Sequence, residues 1–277
     1  MSTETLKKAP HEDRGLDTAY PITEEQIVSL HEDGWAPLPG LLDQETVAEL
    51  RETLLGARLK ESPVAGGGPS DPTQLLQHEA VAWESPFVHG VATSRRVSSA
   101  VTSLMRREDA VLCTDLSFFK PVGASPTPFH QDFSFWPFDR WGNVTVWIAL
   151  VDITEDMGPL RYLKGSHREG PLGLIGGDDI REVYPQLSSS EIVGGKAMKA
   201  GDAQAHWELT VHGAVANNGE SRREAVGLRY HRTDTRYINL PHTHYDKFKL
   251  TPGTPLTDSG VFPRVGPEGF IDGFTVK

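Results

Sequence analysis

A chain with one cysteine cannot close a disulfide on itself, and Cys113 is the single cysteine in these 277 residues. Such usage fits a reducing compartment, so the expected location is the cytoplasm. Cys113 lies in an apolar run and reads as a small buried residue rather than a nucleophile. No run of about 18 apolar residues exists, and no membrane-spanning helix is expected. Residues 1–9 are polar and lack the apolar segment of a secretion signal. Basic clusters are missing too: 27 Lys and Arg stand against 38 Asp and Glu, a formal charge of −11. That balance argues against nucleic acid as a partner. The oligomeric state is not readable from the sequence. The chain carries no internal repeat and no low-complexity tract.

What is present is ordinary for a globular protein, with 38% hydrophobic and 23% charged residues. The 27 Gly and 20 Pro suggest many turns. Residues 1–20 lack periodicity and are expected to form a flexible tail ahead of a single domain over 21–277. Thr23 with Gln26 makes a capping box, Ile22 can staple onto Ile27, and Gly34 ends that helix. Residues 35–42 read as a short edge strand. Asp43 caps a second helix, which carries Val47, Leu50 and Leu54 on one face. Residues 65–70 are a Gly-rich loop. Residues 74–107 read as mainly helical and without chemistry. Strands follow over 111–120, 144–153 and 224–231. The Gly- and Ser-rich stretch 169–197 is long for a structureless loop and is expected to be a lid. Helices first and short strands after predict an α+β, mainly β domain, a sandwich or jelly roll backed by N-terminal helices.

Three residues carry the chemistry. His130 and Asp132 stand one apart, and residues two apart in a strand share a side, so both are expected to converge while Gln131 points away. His212, followed by Gly213, supplies a second imidazole. Two histidines and one carboxylate can cap one face of Fe(II) and leave the other positions open. Pro126, Pro128, Phe129, Phe133, Phe135, Trp136 and Phe138 surround the pair and would shield a reactive iron. His206 is the rival ligand. It has the parity of His212 but lies about 20 Å away along an unbroken strand at about 3.3 Å per residue. One ion is therefore not expected to reach both. His242 and His244 read as loop. Arg222 and Arg223 should face opposite sides. A buried arginine needs an anion, and the far carboxylate of 2-oxoglutarate would supply one in bidentate geometry. Arg229 and His231 share the parity of Arg223 and are candidate substrate contacts.

Taken together, these runs resemble the phytanoyl-CoA dioxygenase family of Fe(II)/2-oxoglutarate oxygenases. The matching stretches are Lys120-Pro121, Pro128 to Asp132, Trp147 to Asp152, Gly158 to His167, Gly201-Asp202, His212-Gly213 and Arg222-Arg223. The resemblance covers most of residues 23–265. It implies a double-stranded β-helix (jelly roll, cupin-like) core, with His130, Asp132 and His212 as iron ligands. It implies Fe(II) as cofactor, with 2-oxoglutarate and O2 as cosubstrates. Arg223 would pair with the far carboxylate of 2-oxoglutarate, with Trp147, Leu116 and Gln77 (or His78) around it. Phe118, Phe133, Trp136 and Arg229 would meet the substrate. Ala214 replaces a frequent serine and Met157 a frequent asparagine. The polar strand residues of an ectoine hydroxylase are absent, so the pocket is expected to be more apolar.

The resemblance also implies hydroxylation of a small organic molecule, with release of succinate and CO2, in natural-product metabolism. Asp132 fills the position that is Gly or Ala in related halogenases and leaves no room for chloride. Desaturation, epoxidation and cyclisation use the same centre and stay open from sequence. Two other readings are a jelly-roll metal-binding protein without turnover and a cupin-like oxygenase that does not use 2-oxoglutarate.

Overall fold

A computed structural model describes residues 14–60, 73–173 and 179–276. The described residues contain five α-helices: α1 (Glu24–Asp33), α2 (Gln44–Lys60), α3 (Pro86–Ala92), α4 (Arg95–Met105) and α5 (Ile180–Val183). The strands are β1 (Trp35–Leu38), β2 (Leu76–Glu79), β3 (Ala110–Lys120), β4 (Thr127–His130), β5 (Val144–Ala149), β6 (Leu160–Leu163), β7 (Ile192–Gly194), β8 (Ala203–Trp207), β9 (His212–Ala214), β10 (Arg223–His231), β11 (Arg264–Gly266) and β12 (Gly269–Asp272). They form two sheets of antiparallel pairs. The major sheet runs β1-β8-β5-β10-β3-β11-β12, with β2 also paired to β3. The minor sheet runs β4-β9-β6-β7. This is the double-stranded β-helix expected.

Alternation along the central strands sorts side chains between two cores. Val226 and Leu228 of β10, with Val144, Val146 and Ile148 of β5, pack against α1, α2, α3 and α4 on one face of the major sheet. Ala225 of β10 and Trp147 and Ala149 of β5 face the minor sheet, where they meet Tyr162 and Leu160 of β6. Every residue of β10 is buried, as a strand covered on both faces must be. Burying each such aliphatic side chain contributes roughly 1.5–3 kcal/mol.

Local signals position the helices. Thr23 and Gln26 form the capping box, and Gly34 closes α1 in the left-handed region at φ 88°. Asp43 Oδ1 accepts the Thr46 N–H at 2.7 Å at the start of α2. Four expectations change. Residues 14–20 are not a tail: Leu16 and Tyr20 are buried, and Arg14 pairs with Glu45 and Glu49; residues 1–13 lie outside the described residues, as does the 65–70 loop. The stretch 74–107 contains a strand, β2, which its Leu-Gln-His-Glu sequence does not advertise. The strand expected over 35–42 stops at Leu38, and the one expected over 144–153 stops at Ala149.

The fourth change concerns 169–197. Leu172, Ile180 and Leu187 are buried with Phe129, Leu163 and Val211. Gln131, pointing away from the cavity, accepts the Leu172 N–H at 2.8 Å and donates to Gly170 O at 3.0 Å. The segment thus buttresses β4 from outside, and none of its described residues lines the cavity below. The described residues of the segment buttress the sheet and do not cover the cavity; residues 174–178 lie outside the described residues.

Candidate metal centre

His130 ends β4 and stands opposite His212, the first residue of β9, in strand register. Gly213 permits that pairing to be close: a Cβ there would lie 2.7 Å from Thr127 O and 3.2 Å from Phe129 N. Asp132 is not in the strand. It has helical dihedrals (φ −71°, ψ −29°) and begins a short 3₁₀ turn over Phe133–Phe135. The convergence expected from strand parity is therefore produced by a turn. Both Asp132 N–H (3.0 Å) and Phe133 N–H (3.3 Å) donate to Glu208 O, which fixes the turn.

The three ligand atoms lie within 4.8 Å of one another. Asp132 Oδ1 is 3.8 Å from His130 Nε2 and 3.9 Å from His212 Nε2. Each of these imidazoles has its tautomer set by the same device. His130 Nδ1–H donates to Pro128 O at 2.9 Å, and His212 Nδ1–H donates to Thr210 O at 2.9 Å. Each Nε2 is left as a lone pair aimed at Asp132 Oδ1, the donor set that suits a divalent metal.

Burial alone would push the Asp132 carboxyl up, but Arg229, then the neighbouring imidazoles, hold it well below the usual carboxylate range. Burial and two neighbouring imidazoles keep His212 neutral, far below the ordinary histidine value. The centre thus holds an anionic Asp132 and a neutral His212, the ionisation states in which these two groups bind a metal.

His206 is not 20 Å away. The chain leaves the major sheet after Trp207, turns through 208–211, and enters the minor sheet at His212. Glu208 holds this corner by accepting Gly142 N–H at 2.5 Å and Asn143 N–H at 3.3 Å. The rings of His206 and His212 lie 4.4 Å apart, and His206 Nε2 is 3.8 Å from Asp132 Oδ2.

A cavity of about 340 Å³ opens over the centre. Gln77, Leu116, Phe118, Trp147, Arg223, Trp136 and Arg229, the residues to which the resemblance gave cosubstrate or substrate roles, line it. Phe133 does not; it stacks edge-on against Trp141, and Phe135 lines the cavity in its place, because the 3₁₀ turn replaces strand alternation. His231 is also absent from the lining. A bulge between Arg229 and Tyr230 breaks the register, and His231 packs on Phe138. Glu79, Thr145, His206 and His242 are lining residues that sequence reasoning missed. Register would have found Thr145 and Glu79, which stand opposite Arg229 and Leu116. His242, from a segment without periodicity, gave no such signal.

Arg223 is 2% exposed. Its guanidinium lies over the Trp147 ring at 5.4 Å and donates to Gly158 O. Nε has no partner, and no ion pair to a carboxylate forms among the described residues. Burial pulls its pKa down to about 10. Lys120, opposite it in register, is pulled down to about 8 by burial and then by Arg223. A buried, unneutralised cation at the cavity wall calls for an anionic ligand.

A family model for phytanoyl-CoA dioxygenase (PhyH) matches residues 30–225. The chain belongs to that family. The peroxisomal phytanoyl-CoA dioxygenase of Rattus norvegicus is 31% identical over 129 residues, which span 42% of this chain and 36% of the rat protein. The chain thus matches little more than a third of that relative's length. The L-proline trans-4-hydroxylase of Streptomyces griseoviridis is 26% identical over 223 residues, 72% of this chain and 83% of that protein. Among solved structures, the non-heme alpha-ketoglutarate-dependent carbocyclase SnoK from nogalamycin biosynthesis superposes with a TM-score of 0.78 at 25% identity, covering 88% of this chain and 97% of SnoK. As a PhyH-family member, the chain carries a complete His-Asp-His set. No described helix is long and apolar enough to cross a membrane.

Proposed function

We propose that this chain is an Fe(II)/2-oxoglutarate-dependent oxygenase that hydroxylates an unactivated C–H bond of a small organic molecule. His130 Nε2, Asp132 Oδ1 and His212 Nε2 would hold iron, whose chemistry with O2 couples substrate oxidation to conversion of 2-oxoglutarate into succinate and CO2. The observation that carries the reading is Arg223: a buried cation without a counter-ion, on the wall of the cavity that holds the three ligand atoms. Its free N–H groups suit the far carboxylate of 2-oxoglutarate, with Trp147, Leu116 and Gln77 forming the surrounding wall.

The residues divide the remaining work. Phe118, Phe135 and Trp136 exclude water and offer apolar contact. Arg229, Glu79 and His242 give a substrate its polar anchors. The relation to SnoK supports a substrate from natural-product biosynthesis, and the carbocyclase activity named for that protein favours one second reading, oxidative ring closure. Anaerobic Fe(II)-loaded protein titrated with 2-oxoglutarate is expected to develop the weak visible charge-transfer band of chelated cosubstrate, and His212→Ala is expected to lose it. No band in metallated wild type would refute the proposal. Product mass separates the readings: hydroxylation adds one oxygen atom, while ring closure removes two hydrogens.

A further inference from the structure

His206 is 1% exposed, and neither ring nitrogen has a hydrogen-bond partner. Buried polar groups left so are rare and call for a reason. Asp132 Oδ2 lies 3.8 Å from Nε2. The same oxygen is 3.4 Å from Arg229 Nη2. Oδ1, by contrast, faces His130 and His212. The two carboxylate oxygens thus have separate neighbourhoods, one of lone pairs and one of donors.

Strand register explains the second neighbourhood. His206 pairs with Thr145, and Thr145 with Arg229. The three stand on one rung of the major sheet, from which His206 and Arg229 face Asp132. His206 also lacks the device that prepares the other two imidazoles. No carbonyl takes its Nδ1–H, so nothing fixes Nε2 as a lone pair. It is free to carry the proton there.

We propose that His206 is a positioning residue: its Nε2–H donates to Asp132 Oδ2 while Oδ1 binds the metal, and with Arg229 it holds the carboxylate in one-oxygen coordination. The 3.8 Å separation is longer than a formed hydrogen bond, and a small rotation of the carboxylate closes it. Polar contacts of this kind tighten when a site is loaded. The clamp matters because Asp132 sits on a short turn, where no other hydrogen bond restrains its side chain among the described residues. Two-oxygen chelation would consume a coordination position that cosubstrate and oxygen need. A fourth-ligand role would consume one too, and His206 Nε2 approaches the wrong oxygen for it. This inference rests on the metal centre proposed above.

Co(II) alone, replacing iron in the full chain, is the probe. His206→Phe keeps a ring of similar size and removes both nitrogens. His206→Gln restores an N–H near the place of Nε2. The Phe variant is expected to bind Co(II) about 10- to 100-fold more weakly, as loss of a partner of a ligand typically costs, with a shifted visible spectrum. The Gln variant is expected to stay within about threefold of wild type and to keep the spectrum, because its N–H replaces the lost donor. Melting of the metal-free Phe variant should be no lower than wild type, since orphaned polar groups leave the core; a purely structural histidine would show the reverse and overturn the proposal. Equal Co(II) affinity in wild type and Phe, or equal weakness in Gln and Phe, would also overturn it. Proton NMR of Co(II) wild type gives a check without any variant. Two exchangeable, strongly shifted imidazole N–H signals are expected, from His130 and His212; three would make His206 a ligand. Wild type that fails to bind Co(II) would remove the metal centre itself, a different failure from wild type and Phe binding alike.

Discussion

Replacing Asp115 by asparagine should remove much of the pH dependence of this fold's stability above the acid range. Asp115 lies on β3, fully buried on the helix-covered face of the major sheet. Its carboxyl accepts Ala82 N–H at 2.7 Å and Val81 N–H at 3.2 Å, and its carbonyl accepts Ala80 N–H at 2.9 Å. It therefore ties down the turn that follows β2, the strand presenting Gln77 and Glu79 to the cavity. Burial raises its pKa from 3.8 to about 7, against the two N–H groups that favour the anion. Between those values the folded chain keeps a proton that the unfolded chain has released, so raising pH favours unfolding. The stabilisation is complete below the unfolded value and is lost as pH climbs through about 7. At 1.36 kcal/mol per unit the shift corresponds to on the order of 4 kcal/mol. With a urea slope of about 3 kcal/mol per molar, that is roughly 1 M in the midpoint. Urea unfolding of metal-free wild type, followed by tryptophan fluorescence at about pH 4 and about pH 8, should show that loss. Asp115→Asn should lose roughly 1 M less over the same interval, the remaining slope coming from groups such as Glu208, which burial raises to about 8, so the two proteins converge at acid pH and diverge at alkaline pH. Parallel profiles would refute the reasoning.

Arg223→Ala should weaken 2-oxoglutarate binding about 10- to 100-fold, from the roughly 1.5–3 kcal/mol of a charge-assisted hydrogen bond, while Co(II) affinity stays within a few-fold; titration of the charge-transfer band and of Co(II) absorbance measures both. Gly213→Ala should cost about 1–3 kcal/mol of stability through overpacking and abolish metal binding, because its Cβ would press on the β4 backbone; calorimetry and Co(II) titration test it. Gln131→Leu leaves Leu209 O, Gly170 O and Leu172 N–H without their shared partner. It should cost roughly 1–3 kcal/mol and speed proteolytic cleavage beyond Gly170, read on a gel.

The convergence of His130, Asp132 and His212 was legible through their spacing together with the family resemblance, and the central strands were legible because their apolar runs are long. Caps at Thr23, Gly34 and Asp43 were read correctly since each acts within a few residues. What escaped depended on contacts distant in sequence. His206 was misplaced because the corner at 208–211 is held by Glu208 reaching across to Gly142 and Asn143, which no local pattern reveals. β2 was missed because pairing with β3, not β-propensity, makes it a strand. Phe133 and Phe135 exchanged roles because the aromatic run forms a turn with a three-residue period where alternation was assumed. His242 reaches the cavity by packing on Trp136.

The two leaves of the jelly roll divide the centre between them. His130 and His212 belong to the minor sheet, whereas Trp147, Arg223 and Arg229 belong to the major one. The two histidines and most of the groups facing the organic molecules therefore stand on different backbones, joined where His206 and Arg229 reach from the major leaf to Asp132. The gap between the leaves becomes a dimension in its own right. It sets how far a bound molecule stands from the ion, and residues that wedge the leaves apart, such as Tyr162 stacked on Trp35, act as spacers for a reaction they never touch.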